Sequence, residues 1–210
     1  MKMTKELKYG LYIIFHPFDG FYDLKHEKRG SLNSAFVFYA LYVFTTLAKR
    51  QLTGYLFNPY NITSINYITE IVLAVLPMFL LCVSNWCVTS LSDGEGKFTD
   101  IITAVGFSLI PLSIFNILTI IVSRIITLEE QSLYLLMVYI GTIWAYSLIA
   151  IGLMITHHYT VLKTFGVAII TLLGMAVILF IGFLFFYLIQ QLANFISEVW
   201  IEASFRLNER

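Results

Sequence analysis

At 210 residues and 24.1 kDa, the chain is 59% hydrophobic and only 12% charged, with aromatics at 16%. A soluble domain averages about 45–50% apolar and about 25% charged residues, so ionised side chains are too few here to cover a globule, and a typical soluble enzyme or a disordered segment is excluded. The 13 Lys and Arg balance 13 Asp and Glu, which leaves no field for a polyanion and excludes nucleic acid as a partner; one membrane domain in contact with the lipid bilayer is expected.

The first element expected is an interfacial helix. Thr4 is placed to cap it, Leu7, Leu11 and Ile14 share one stripe, and Lys5 and Lys8 lie elsewhere. Lys2, Lys5 and Lys8 resemble the basic start of a secretion signal, but the apolar run Leu11–Phe15 is too short and no small-residue cleavage site follows. His16–Pro17 ends the helix, because the residue before a proline avoids helical backbone. A polar elbow is expected over Asp19–Gly30.

Charge-free stretches then locate the spans, since a helix needs about 20 apolar residues to cross a hydrocarbon core about 30 Å thick. They run Leu32–Ala48 with Ser31 as an extension, Ile71–Leu91, Ile101–Ser123, Leu133–Thr156 and Thr164–Ser197. The last would measure roughly 51 Å as one helix, which exceeds the bilayer core. It is therefore divided into a span near Phe165–Ile189 and an amphipathic extension starting at Gln190–Gln191. In that extension Asn194, Glu198 and Glu202 recur every four residues with Arg206 next, and Trp200 is set at headgroup depth. The expected fold is all-α: a five-helix transmembrane bundle over 31–197, preceded by the helix and elbow of 1–30 and followed by the tail 198–210.

Five spans put the termini on opposite sides. Lys2, Lys5, Lys8, Lys25, Lys28, Arg29, Lys97 and Lys163 lie with the N-terminus, against Lys49, Arg50, Arg124, Arg206 and Arg210 opposite. This bias makes the N-terminal side cytoplasmic. That face then collects His16, His26, His157 and His158 together with the turn Asp93–Lys97. The sequon Asn61–Ile62–Thr63 falls on the other side.

The turn Asp93–Gly94–Glu95–Gly96–Lys97 is the most distinctive local sequence. Its glycines permit positive φ, so the chain reverses tightly between the second and third spans. It lacks the spacing of a phosphate-binding loop, and Asp93, Glu95 and Asp100 are too few ligands for calcium. Asn85 inside the second span is expected to hydrogen-bond other helices, and Trp86 to mark the interface. Pro77 and Pro111 interrupt spans two and three and are expected to kink them.

Gly141, Ala145 and Gly152 share one stripe of the fourth span, a seam for close helix approach. Gly166, Gly174 and Gly182 recur every eight residues in the fifth, a spacing that drifts by about 80° per step. His157–His158–Tyr159 follows span four. Neighbouring histidines on a helix point about 100° apart and do not share a metal, and interfacial hydrogen bonding is the expected role. Cys82 and Cys87 are placed as small hydrophobes rather than a disulfide. Neither a His–Glu–x–x–His nor a Gly–x–Ser–x–Gly motif occurs, so no catalytic residue, metal or cofactor is assigned.

Taken in order, these pieces resemble a known family. His16–Pro17–x–x–Gly20–Phe21 with Lys25–x–x–Lys28–Arg29–Gly30–Ser31 is similar to the N-terminal elbow of bacterial proteins in the Ypt-interacting-protein (Yip) domain family. Asn85–Trp86–x–x–Thr89–x–Leu91–x–Asp93–Gly94–x–Gly96, then Leu109–Ile110–Pro111, resembles its central signature, and Leu128–Glu129–Glu130 and His158–Tyr159–Thr160 also match. The resemblance implies a five-span bundle with a cytosolic N-terminus. Eukaryotic relatives act in vesicle traffic by binding small GTPases of the Rab class and one another. Their long polar N-terminal region is not in this sequence, which counts against GTPase recruitment. Some bacterial members look like accessory subunits of other membrane complexes, transporters included.

The expected function is a non-enzymatic integral membrane protein of the bacterial plasma membrane. It would act as scaffold or accessory subunit of a complex, through a membrane protein partner or self-association. Alternatives are a small transporter or channel with a wet path past Asn85, Ser113 and Asn116, or a lipid-interacting protein that shapes the bilayer.

Overall fold

The structure, a computed structural model, describes residues 2–58 and 65–208, with side chains at 5–58, 65–202, 204 and 205. The sequon at Asn61 and the side chain of Arg206 lie outside these. All the regular elements described are helices: α1 (Lys2–Phe15), α2 (Pro17–His26), α3 (Leu32–Leu52), α4 (Tyr67–Leu91), α5 (Phe98–Ser108), α6 (Ile110–Val122), α7 (Gln131–Thr156) and α8 (Val161–Asn208), with two short 3-10 turns.

Four stretches among the described residues are long and apolar enough to cross a membrane: Tyr67–Leu91, Phe98–Val122, Leu128–Thr156 and Val161–Glu202. The protein is an integral membrane protein. The 21-residue α3 is not one of the four, because Tyr39, Tyr42, Thr45 and Thr46 dilute its apolar run and Lys49 and Arg50 fill its last turn.

Local chemistry sets the helix ends. Ser31 caps α3 in a reciprocal pair: its Oγ accepts from the Ser34 N–H at 3.3 Å, and the Ser34 Oγ accepts from the Ser31 N–H at 3.0 Å. Asn66 caps α4 by accepting from the N–H groups of Ile68 and Thr69. The Asp100 carboxylate accepts from the Lys97 N–H at 3.1 Å where α5 begins. The third span is broken at Leu109, with Pro111 buried in the first turn of α6. A proline lacks the N–H for the bond one turn back, so the break falls just ahead of it. Pro77, by contrast, sits within an unbroken α4.

The N-terminal region differs from expectation. Thr4 is not a cap, since α1 already begins at Lys2. The expected polar elbow is largely the helix α2, which starts on Pro17, where a missing N–H costs nothing. Both helices are buried into one end of the bundle: Ile13, Ile14, Phe21 and Leu24 pack with Ala35, Phe38, Ala104, Phe107, Ile110 and Leu148. The buried side of α1 is Glu6, Gly10, Ile13 and Ile14, while Leu11 of the expected stripe is exposed.

Around this core, α6 and α5 each pack on both α7 and α3, and α4 packs on α8 and α5. The expected division at Gln190–Gln191 is absent: α8 is one 48-residue helix, about 72 Å long. No proline interrupts it, and a Cβ added at Gly166 or Gly182 would open onto free space, with no neighbouring atom within 4 Å. From Leu179 to Glu202 every residue is exposed. Asn194, Glu198 and Glu202 of the expected row are all exposed.

Candidate functional site

Three segments distant in sequence meet at one end of the bundle: α2, the turn between α4 and α5, and the α7–α8 junction. Their meeting point is His157, which is 2% exposed and caps the C-terminus of α7. The backbone N–H of Gly96 donates to its Nδ1 at 3.3 Å. That bond fixes the tautomer, so Nε2 carries the proton and donates to Asn85 Oδ1 at 3.2 Å. The Asn85 amide nitrogen donates in turn to Thr171 Oγ1 on α8 at 3.3 Å. Beside it, Ser84 Oγ donates to the Thr171 carbonyl at 2.7 Å, and Thr89 Oγ1 donates to the Asn85 carbonyl at 2.7 Å. One chain of hydrogen bonds thus joins α4, the turn, α7 and α8.

The electrostatics follow from this burial. The imidazole is pulled down to about 4 by desolvation and then by the Lys25 charge, with Asp100 opposing. Protonation would also require Nδ1 to give up the Gly96 N–H. His157 is a neutral latch, with both ring nitrogens committed.

The Asp93–Lys97 turn is a hairpin between spans, but its glycines have another use. Neither has positive φ; Asp93 takes the left-handed conformation, at φ 54°. The glycines are needed for closeness. A Cβ on Gly94 would lie 2.7 Å from His157 Nδ1 and 2.8 Å from the Tyr159 hydroxyl, and one on Gly96 would lie 2.7 Å from His157 Cε1 and from Thr156 Cγ2. Tyr159 closes the cluster: its hydroxyl donates to the Ser92 carbonyl at 2.9 Å, and its ring stacks on His157 with centroids 5.4 Å apart. Burial and then Asp93 raise the Tyr159 phenol above its ordinary value. Lys163 lies 4.2 Å from the centre of that ring.

The α2 side joins through Lys25, whose ammonium donates to the Thr156 carbonyl at 2.7 Å. This is a cation on the negative end of α7. His158, also at positive φ, points outward, with Nε2 3.6 Å from Glu95 Oε2 and its ring 5.3 Å from that of His26. His16 precedes α2 at the N-cap position without a side-chain cap bond, and its ring stacks on Tyr12 with centroids 4.8 Å apart. Gly20 is buried against Ile13, and its carbonyl accepts from the Tyr9 hydroxyl at 2.9 Å. Burial and then Asp23 push that hydroxyl well above its ordinary range. Among the described residues no three of His, Cys, Asp and Glu converge to hold a metal.

Of the residues singled out in sequence, Asn85, Gly94, Gly96 and Tyr159 come together. Asp93 shapes their turn, and Trp86 is half-exposed, its ring 5.6 Å from that of Phe98. His16, Pro17 and Gly20 build the α1–α2 corner, and Pro111 lies in α6, away from the cluster. The expected seam of Gly141, Ala145 and Gly152 serves different neighbours: Gly141 faces Phe115 of α6, whereas Gly152 receives the ring of Phe21 from α2. Asn116 and Ser113 are buried and separately bonded, to Thr46 Oγ1 and the Leu109 carbonyl. Thr171 carried no signal in a charge-free apolar run. His157 was visible only as one of a pair, and the pattern of α7 does not tell which of the two turns inward.

A cleft of about 190 Å³ borders the cluster, between α4, α7 and α8. The family model for the Yip1 domain matches residues 11–184, which hold every residue of the cluster. No curated protein and no solved structure matches the chain.

Proposed function

The chain belongs to the Yip1 domain family, and from that premise we propose that it is a non-enzymatic scaffold or accessory subunit of a membrane protein complex. The observation that carries this reading is the exposure of α8. Its cross-bundle bonds join Ser84 and Asn85 to Thr171, and every residue from Leu179 to Trp200 is exposed. A helix about 72 Å long outruns a hydrocarbon core of about 30 Å, so lipid alone does not cover its apolar side chains. Phe195, Ile196, Val199 and Trp200 then offer apolar contact area to a partner helix.

In this reading α3 is a fifth span, packed beside α5 and α6. Lys25, Lys28, Arg29, Lys97 and Lys163 put the His157 end on the cytoplasmic side of a bacterial plasma membrane. The two N-terminal helices and the Asp93–Lys97 turn form the cytoplasmic contact surface, and α8 delivers the opposite one. The latch at His157 has a clear role in such a protein: it fixes the angle of α8, the arm that meets the partner. Transport by a complex would belong to the partner. The bonded state of Asn85, Ser113 and Asn116 supports a dry bundle in preference to a channel.

Purification in mild detergent with mass spectrometry of the copurifying proteins tests the proposal. Recovery of one partner in fixed ratio, lost when Phe195, Val199 and Trp200 are changed to Asn, is the expected result. Recovery of only the isolated chain under several mild conditions would refute it.

A further inference from the structure

We infer that the cleft between α7 and α8 holds one acyl chain of a phospholipid from the leaflet at the His157 end. The cleft exists because α8 leans on α4 and leaves α7 partly uncovered. Its walls are apolar, with Leu81, Ile149, Leu153 and Val167 among them, and Ala150 and Ala168 on the two facing helices are both exposed. An alanine on each of the two helices leaves open a slot that larger side chains would narrow.

The shape matches one tail. Along α7 the lining runs from Tyr146 to His157, about 16 Å of helix, and along α8 from Thr164 to Leu172, about 12 Å. Half of a hydrocarbon core is about 15 Å. The cleft therefore runs parallel to the helices over the depth of a single leaflet. At about 190 Å³ it is too narrow for a helix, which is about 10 Å across. Water is a poor occupant, since a buried water needs about two to four polar partners. Apart from the Tyr146 phenol at the far end, the polar side chains of the lining are committed: Thr164 to the Thr160 carbonyl and, at the His157 end, His157 to Gly96 and Asn85, Asn85 to Thr171 and Tyr159 to Ser92. At that same end Lys163 sits exposed over Tyr159, where a phospholipid entering tail-first leaves its phosphate.

Native mass spectrometry of the full chain after prolonged detergent washing tests this. The unaltered protein should retain one phospholipid. Ala168→Phe and Ala150→Phe, which fill the slot from opposite walls, should each reduce retention about tenfold, equivalent to about 1.4 kcal/mol. Ile170→Phe, exposed on α8 away from the cleft lining, should retain it fully. If either filling variant does not fold, the other carries the comparison. In the unaltered protein, stripping the lipid should also lower Tm, and adding back a phospholipid, but not a free fatty acid, should restore it. Equal retention in all variants, no retained phospholipid, or rescue by the free fatty acid would overturn the inference.

Discussion

The Nε2–H of His157 donates to the Oδ1 of Asn85 across 3.2 Å, joining residues 72 positions apart in the sequence. With the Gly96 N–H on the other ring nitrogen, the imidazole is shared by the end of α7, the middle turn and α4. Through the Asn85 amide and Thr171 the same chain of bonds reaches α8.

Asn85→Leu should cost about 1–3 kcal/mol, because it strands the buried Nε2–H of His157 and the hydroxyl of Thr171. Thermal unfolding in detergent checks it. Cys87→Ala, at an exposed position on the same helix, should change Tm little.

His157 makes stability depend on pH in a definite direction. Its folded value of about 4 lies below the ordinary 6.5, so the unfolded chain binds more protons between these values. Stability is complete above about pH 6.5 and is lost as pH falls toward 4, by up to about 3 kcal/mol. Tm measured from pH 7.5 to 4 should fall in the unaltered protein and flatten across this window in His157→Gln.

The turn offers two opposed substitutions. Gly94→Ala or Gly96→Ala should destabilise by about 1–3 kcal/mol, because the new methyl meets His157 and its neighbours, not because of backbone conformation. Asp93→Gly should be neutral or stabilising by up to about 1 kcal/mol, since it relieves a left-handed non-glycine residue. Denaturation of the variants checks this, and Gly94→Ala and Gly96→Ala as stable as the unaltered protein would refute the close-packing account.

Glu6 is 6% exposed and accepts from the Ser31 hydroxyl at 2.5 Å, which ties α1 to the start of α3. Glu6→Ala should release α1, read as faster proteolysis before Phe15 with the spans still protected. Ser31→Ala should cost about 1 kcal/mol through the cap.

Removing residues after Gln191 should leave Tm unchanged, because no described contact of the bundle reaches that far along α8. The same truncation should abolish partner copurification. A large drop in Tm would show that the arm supports the bundle itself.

The membrane class, the helical fold and four of the five expected spans were legible in the sequence, because charge-free runs of about 20 residues have few other uses. So was the importance of Asn85 and the Asp93–Lys97 turn, since an amide in an apolar run and two glycines beside charged residues both demand a reason. Side-chain direction was not legible. The pair His157–His158 reads symmetrically until the end of α7 turns one ring into the bundle and the other outward. The glycines suggested backbone freedom, while the structure uses their missing Cβ atoms as space for an imidazole. A composition rich in apolar residues and poor in charge determined by itself that this chain lives in lipid. Only the tertiary structure decided where the remaining polar groups meet, because a hydrogen bond between α4, α7 and α8 depends on helix rotation and packing, which periodicity leaves unset.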